Sequence, residues 1–133
     1  MRYVLVDTDI LINFLRGMEE ARAFLARAAE ESLLCCSAIT VAEIFAGMRE
    51  HERDKTVDLI DSLEVIDVTR QIAEKAGAYK RSSKRQSLEL ADCIIAASAF
   101  AKQAILTTGN VKHYPMSDVE KGTIARPRGG LKP

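Results

Sequence analysis

No apolar run in this 133-residue chain reaches the roughly 18 residues that a membrane-spanning helix needs. The run Tyr3 to Val6, entered directly from Met1-Arg2, is also too brief for the core of a secretion signal. The expected place is therefore the cytoplasm, with no membrane contact. The 3 cysteines agree, since Cys35 and Cys36 are adjacent, Cys93 stands apart, and none has a zinc-type C-x₂-C spacing. An odd count argues against a disulfide framework, and reduced thiols packed as small hydrophobes are expected. Net charge is missing too: 19 basic and 19 acidic residues give +0. That leaves no global attraction for nucleic acid, although it does not exclude a local basic patch. No Gly-x-Gly or P-loop fingerprint marks a nucleotide site. His51 and His113 are the only histidines, and no serine sits in a nucleophile-elbow setting, so a hydrolase triad is excluded.

What remains is an ordinary globular composition, 47% hydrophobic and 29% charged, and a length that fits a single domain over residues 1–133. Short apolar runs predict strands at Val4 to Val6, Leu33 to Cys36, Val65-Ile66 with Val68, and Ala104 to Thr107. Helical spacing predicts helices over Ile10 to Leu15, around Ala21 to Ala28, Thr40 to Ala46, Val57 to Leu63, Gln71 to about Lys84, and Leu90 to Lys102. Tyr114 to Pro133 holds all 3 prolines and reads as a last short strand and a loose tail. Strands alternating with helices give an α/β fold around a mostly parallel sheet. Such sheets bring strand C-terminal ends to one edge, where ligands bind.

Three acids fall at that edge in apolar company. Asp7 ends the first strand, Glu43 follows the second, and Asp92 opens the most apolar helix. A carboxylate removed from water without compensation costs several kcal/mol. Three converging on one edge call for a cation, and oxygen donors select Mg²⁺ or Mn²⁺ over zinc. Each acid also has a structural reading. Asp7 or Asp9 can cap the first helix. Thr40-x-x-Glu43 fits a capping box. Asp92 suits a first helical turn. Thr108 and Asn110, after the late strand, reach the same edge, where one can bond a carboxylate and the other a metal-bound water; they also fit a plain Thr-Gly-Asn turn. Asn13, four residues after Asp9, shares its helical face. Lys80, Arg81, Lys84 and Arg85 form the densest basic run, and Arg16, Lys112 and His113 lie nearer the edge. These are RNA-contact candidates, or simply a solvated helix face.

The stretch Val4-Leu5-Val6-Asp7-Thr8-Asp9-Ile10-Leu11-Ile12-Asn13-Phe14-Leu15-Arg16-Gly17 resembles the opening of a VapC-type PIN domain. Ser37-Ala38-Ile39-Thr40-Val41-Ala42-Glu43-Ile44-Phe45-Ala46-Gly47 is similar to its second motif, Leu90 to Ala97 to its third, and Leu106 to Tyr114 to its fourth. The ordered set spans Val4 to Tyr114. The resemblance implies a three-layer sandwich with a mostly parallel central sheet, and metal-dependent endoribonuclease activity on structured RNA such as tRNA or rRNA. It also implies a homodimer and a VapB-type antitoxin, with DNA met only through that partner. Carried over by position, Asp7, Glu43 and Asp92 hold Mg²⁺ (or Mn²⁺) and are catalytic. Asp9 falls in a variable polar slot. The fourth acid of many relatives falls at Asn110, and Gly109 replaces a basic residue often seen before it.

In this reading Asp7 and Asp92 bind the principal metal and Glu43 completes the cluster or orients the attacking water. Asp7-x-Asp9 after a strand also resembles a haloacid-dehalogenase-type phosphatase, with Asp7 as covalent nucleophile. Too little chain follows Leu106 for that enzyme's lysine and paired late acids. A rival of another class is a non-catalytic module that binds RNA or an antitoxin. The early helices near Phe14 and Phe24 are the expected seat of the antitoxin.

Overall fold

The computed structural model describes residues 1–83 and 87–124. In chain order the elements are β1 (Tyr3–Val6), α1 (Thr8–Leu15), α2 (Glu19–Glu31), β2 (Leu33–Ser37) and α3 (Ala38–Ala46). A 3-10 turn, Glu50–Glu52, leads to α4 (Arg53–Asp61), β3 (Glu64–Ile66), α5 (Arg70–Ser82), α6 (Leu90–Lys102) and β4 (Ile105–Thr108). A second 3-10 turn, Val111–His113, precedes β5 (Lys121–Thr123).

The sheet order is β3-β2-β1-β4-β5, and every neighbouring pair is parallel. The chain leaves β1 towards β2 on one side and returns to it through β4 on the other. Strand order therefore reverses between β1 and β4, the position where open parallel sheets form a crevice at their C-terminal ends. Asp7 and Thr108 stand at that point. The residue after β1 is tied across it, with the Asp7 N–H donating to the Thr107 carbonyl at 3.0 Å.

Alternation along the strands feeds one core on each face of the sheet. Val4, Val6 and Cys36 join Ile10, Leu11, Ala21, Leu25, Ile44 and Leu59, under α1 to α4. Leu5, Cys35 and Leu106 join Ile72, Ala76, Cys93, Ile95 and Ala96 with Tyr114, Met116 and Val119, under α5 and α6. The three-layer arrangement follows, because a sheet apolar on both faces must bury both. The adjacent Cys35 and Cys36 thus serve opposite layers.

Several boundaries differ from the sequence reading, each for a local reason. Helix α1 begins at Thr8, two residues early, because Asp7 caps it and accepts from the Thr8 N–H. Gly17, in the left-handed region at φ 79°, follows its end. Helix α3 begins at Ala38 with Ser37 as its cap, so the Thr40-x-x-Glu43 capping box does not form. Val68 lies outside β3, and β4 runs on to Thr108. The segment expected to be loose is partly core, since Tyr114, Met116 and Val119 are buried. The remainder of the expected tail, from residue 125, and Lys84 and Arg85 lie outside the described residues. No helix among the described residues is long and apolar enough to cross a membrane.

All three cysteines are free and buried. Burial pushes the Cys35 thiol up to about 12 and Cys36 to about 11, and raises Cys93 as well. At pH 8 none presents thiolate, the reactive form. We expect an aromatic disulfide reagent to label the native protein only as fast as it unfolds, and denatured protein at once. Rapid labelling of one thiol in the folded state would mean that its layer opens locally.

Candidate active site

Asp7 is the hub. Its side chain is 6% exposed, Oδ1 accepts from the Thr8 N–H at 2.7 Å, and Oδ2 accepts from the Thr108 hydroxyl at 2.7 Å. One carboxylate thus caps α1 and binds β1 to the end of β4. Thr108 also accepts from the Asn110 N–H at 3.0 Å, so one hydroxyl orders both the acid and the loop after it.

Glu43 reaches the same edge from α3. It is exposed, but the Thr8 hydroxyl donates to its Oε1 at 2.6 Å. The Thr8 and Thr40 hydroxyls lie 2.9 Å apart. A hydroxyl has one proton, and the carboxylate is the stronger acceptor, so Thr40 donates to Thr8 in that pair. The Thr40–Glu43 pair is thereby directed at α1 rather than at its own helix end.

Asp92, in the first turn of α6, receives the Tyr114 hydroxyl on Oδ1 at 3.2 Å, and His113 Nδ1 lies 3.5 Å from Oδ2. Tyr114 is 1% exposed, a buried ring whose polar tip arrives at the acid. Helices α3 and α6 are joined below the acids by the Ser37 and Ser98 hydroxyls, 3.2 Å apart.

The electrostatics show how close these groups are. Burial, then the Asp7 charge, pushes the Asp92 carboxyl up; His113 and Tyr114 oppose this and Glu43 adds to it. Burial and the Asp7 charge likewise raise Asp9, against the backbone N–H groups of Ile10 and Gly109 and the His113 ring. Burial, then Asp7 and Asp92, pushes the Tyr114 phenol far up, so it stays a donor. Four carboxylates therefore feel one another or Asp7 at one strand edge.

The donor set fits a hard cation. It is all oxygen, its members repel one another, and Asp9 Oδ1 is buried with no hydrogen-bond partner. Among the described residues no three carboxylate, imidazole or thiol groups form a ready-made metal-binding group.

The remaining sequence candidates divide. Asn110 is exposed and its Nδ2 lies 2.9 Å from His113 Nε2, so its side chain is engaged with the 3-10 turn rather than with the acids. Asn13 is half-buried on α1. Arg16 caps the end of α1 and lines, with Glu43, a groove of about 270 Å³ between α1, α3 and α4. Phe14 and Phe24, the expected antitoxin contacts, are half-buried against the core; the groove is walled instead by Ile12, Leu15, Ile44 and Met48. Lys112 and Arg81 are exposed, while Lys80 donates to the Leu88 carbonyl at 2.5 Å. Lys84 lies outside the described residues. Thr8 and Tyr114 are site residues that the sequence reading did not single out, and His113, expected near this edge as an RNA contact, stands beside Asp92. The fourth motif pointed towards the last two, but only the fold shows what they touch.

Residues 4–116 match the PIN domain family. The chain is 39% identical over 128 residues to Ribonuclease VapC10 of Mycobacterium tuberculosis, covering 93% of this chain and 95% of that protein. A toxin–antitoxin complex from Klebsiella pneumoniae contains a similar chain: 30% identity, TM-score 0.73, 87% of this chain and 94% of that one. The fold is shared with VapBC-1 from nontypeable Haemophilus influenzae at TM-score 0.78 and 22% identity, over 93% and 99% of the two chains.

Replacing Thr108 by Val keeps the shape but leaves Asp7 Oδ2 and the Asn110 N–H without their shared partner. We expect a loss of about 1–3 kcal/mol in denaturant unfolding. An unchanged midpoint would show that the tie between β1 and β4 contributes nothing.

Proposed function

The chain belongs to the PIN-domain family, as a VapC-type ribonuclease, and we propose that it cuts RNA with Mg²⁺ held by Asp7 and Asp92 and completed by Glu43. The observation that carries this reading is the convergence of mutually repelling carboxylates on the β1–β4 edge, a buried Asp7 with a partly buried Asp92 and an exposed Glu43, and hydroxyl donors fixing their orientation. The match with PIN domains over residues 4–116 supports treating residues 1–133 as one such domain. It leaves the haloacid-dehalogenase alternative without support, and the 39% identity to a protein named a ribonuclease speaks against the non-catalytic one.

When bound, the ion supplies an acidified water as nucleophile and positive charge for the developing oxyanion. The protein's part is orientation. Thr8 and Thr108 hold Glu43 and Asp7, and Tyr114 holds Asp92. Glu43, exposed yet fixed, is placed to accept a proton from the attacking water. Arg16 and Lys112, with Arg81 further out, take backbone phosphates, so binding weakens as salt rises. Mn²⁺, another ion for oxygen donors, can replace Mg²⁺. Structured RNA such as tRNA or rRNA is the proposed substrate class.

A VapB-type antitoxin, supported by the toxin–antitoxin assembly of the Klebsiella relative, is the proposed inhibitor. The groove that runs from Ile12 and Leu15 to Glu43 gives it a seat beside the site. Homodimer formation, a cytoplasmic location and DNA contact only through the antitoxin complete the proposal. The free thiols accord with a reducing compartment.

The test is cleavage of total cellular RNA by purified antitoxin-free protein with Mg²⁺ or EDTA, beside Asp92→Asn of matched stability. Discrete Mg²⁺-dependent products, reduced about 100-fold or more by the substitution, are expected. Equal cleavage by both proteins would indicate a contaminating nuclease and remove Asp92 from the site.

A further inference from the structure

We infer that Asp9 is a fourth carboxylate of the cation site, standing in on the β4 side for the acid that Asn110 does not supply, and that residue 109 is glycine to admit it. The inference rests on the cation-dependent reading above and assigns a role to a residue which that reading leaves aside.

Among the described residues, Asp9 Oδ1 is the only buried side-chain nitrogen or oxygen with no hydrogen-bond partner. A carboxylate in a first helical turn is usually explained by the helix dipole, which favours its charge but supplies no hydrogen bond to an individual oxygen. That account does not explain an oxygen withdrawn from water. Thr8 donates to Asp7 Oδ1, Ile10 and Leu11 point to the Asp7 carbonyl at 3.2 and 3.4 Å, and the Ile10 and Gly109 N–H groups that favour the Asp9 carboxylate leave its Oδ1 without a partner. An anionic oxygen left without a donor is costly, and a cation is the partner that would satisfy it.

The loop after β4 is shaped around this side chain. A Cβ on residue 109 would stand 2.8 Å from Asp9 Oδ2, closer than such atoms approach. Gly109 does not have a positive φ, so its backbone would accept any residue. A side chain at 109 would therefore have to push the Asp9 carboxylate out of its present place. The next residue cannot fill the gap, because the Asn110 carboxamide is exposed and paired with His113. Positions 9, 109 and 110 therefore form one unit: the acid sits on α1, the glycine clears its path, and the amide turns outwards.

The test uses metal-stripped full-length protein, titrated with MnCl₂ by calorimetry and melted with and without MnCl₂. Asp9→Asn is expected to weaken Mn²⁺ binding about tenfold or more and to shrink the Mn²⁺-induced rise in Tm. It should also raise the Tm of the metal-free protein, since the repulsion by Asp7 of a carboxylate with one unpartnered buried oxygen is gone. Gly109→Ala keeps that charge but displaces it, and should weaken Mn²⁺ binding without the rise in metal-free Tm. Wild-type protein that binds Mn²⁺ and cuts RNA, beside Asp9→Asn with the same affinity, would overturn this inference alone. Wild-type protein that neither binds Mn²⁺ nor cuts RNA would overturn the proposed function, and this inference with it.

Discussion

Everything at the functional edge depends on crowded negative charge that the protein itself does not neutralise. Asp7 is buried, and its charge is felt at Asp9, Asp92 and Tyr114. Such a grouping is unfavourable on its own account, because like charges in a poorly solvated place raise one another's energy. Here neutral donors hold the acids apart and in place: Thr8, Thr108 and Tyr114 each give a hydroxyl proton to a different carboxylate. Hydroxyls direct a carboxylate without cancelling its charge, which a lysine or arginine in the same place would do.

The layers of the fold supply those donors from opposite directions. Thr8 and Glu43 come from the side of α1 and α3, and Tyr114 and Asp92 from the side of α6, with the end of β4 between them. The Ser37–Ser98 contact bridges the two sides. Each hydroxyl therefore couples the orientation of an acid to the packing of a core.

Much of this was legible in the sequence. Positions after the first two strands singled out Asp7 and Glu43, and the start of the most apolar helix Asp92, and the structure brings these three acids to one edge. Alternating strands and helices gave the parallel sheet. The donors were less legible: Thr8 lies before the expected helix start, Tyr114 opens the stretch that reads as a last short strand and a loose tail, and their partners lie 35 and 22 residues away. Cap choice moved the boundaries, since Asp7 and Ser37 act where later residues seemed equally able. Asn110 shows the limit of carrying a position across by motif. Its place after β4 was right, but a rotation about its own side-chain bonds, towards His113, takes it out of the acid cluster.

The hydrogen bond between Thr108 and Asp7 joins residues 101 apart in the chain. Between the synthesis of one and of the other, a ribosome adding 5–20 residues each second takes roughly 5–20 s. The growing polypeptide spends that interval with its first acid made and the strand that orders it still missing. The carboxylate at the hub of the edge thus gains its ordering hydroxyl only when nearly the last strand of the sheet has been made.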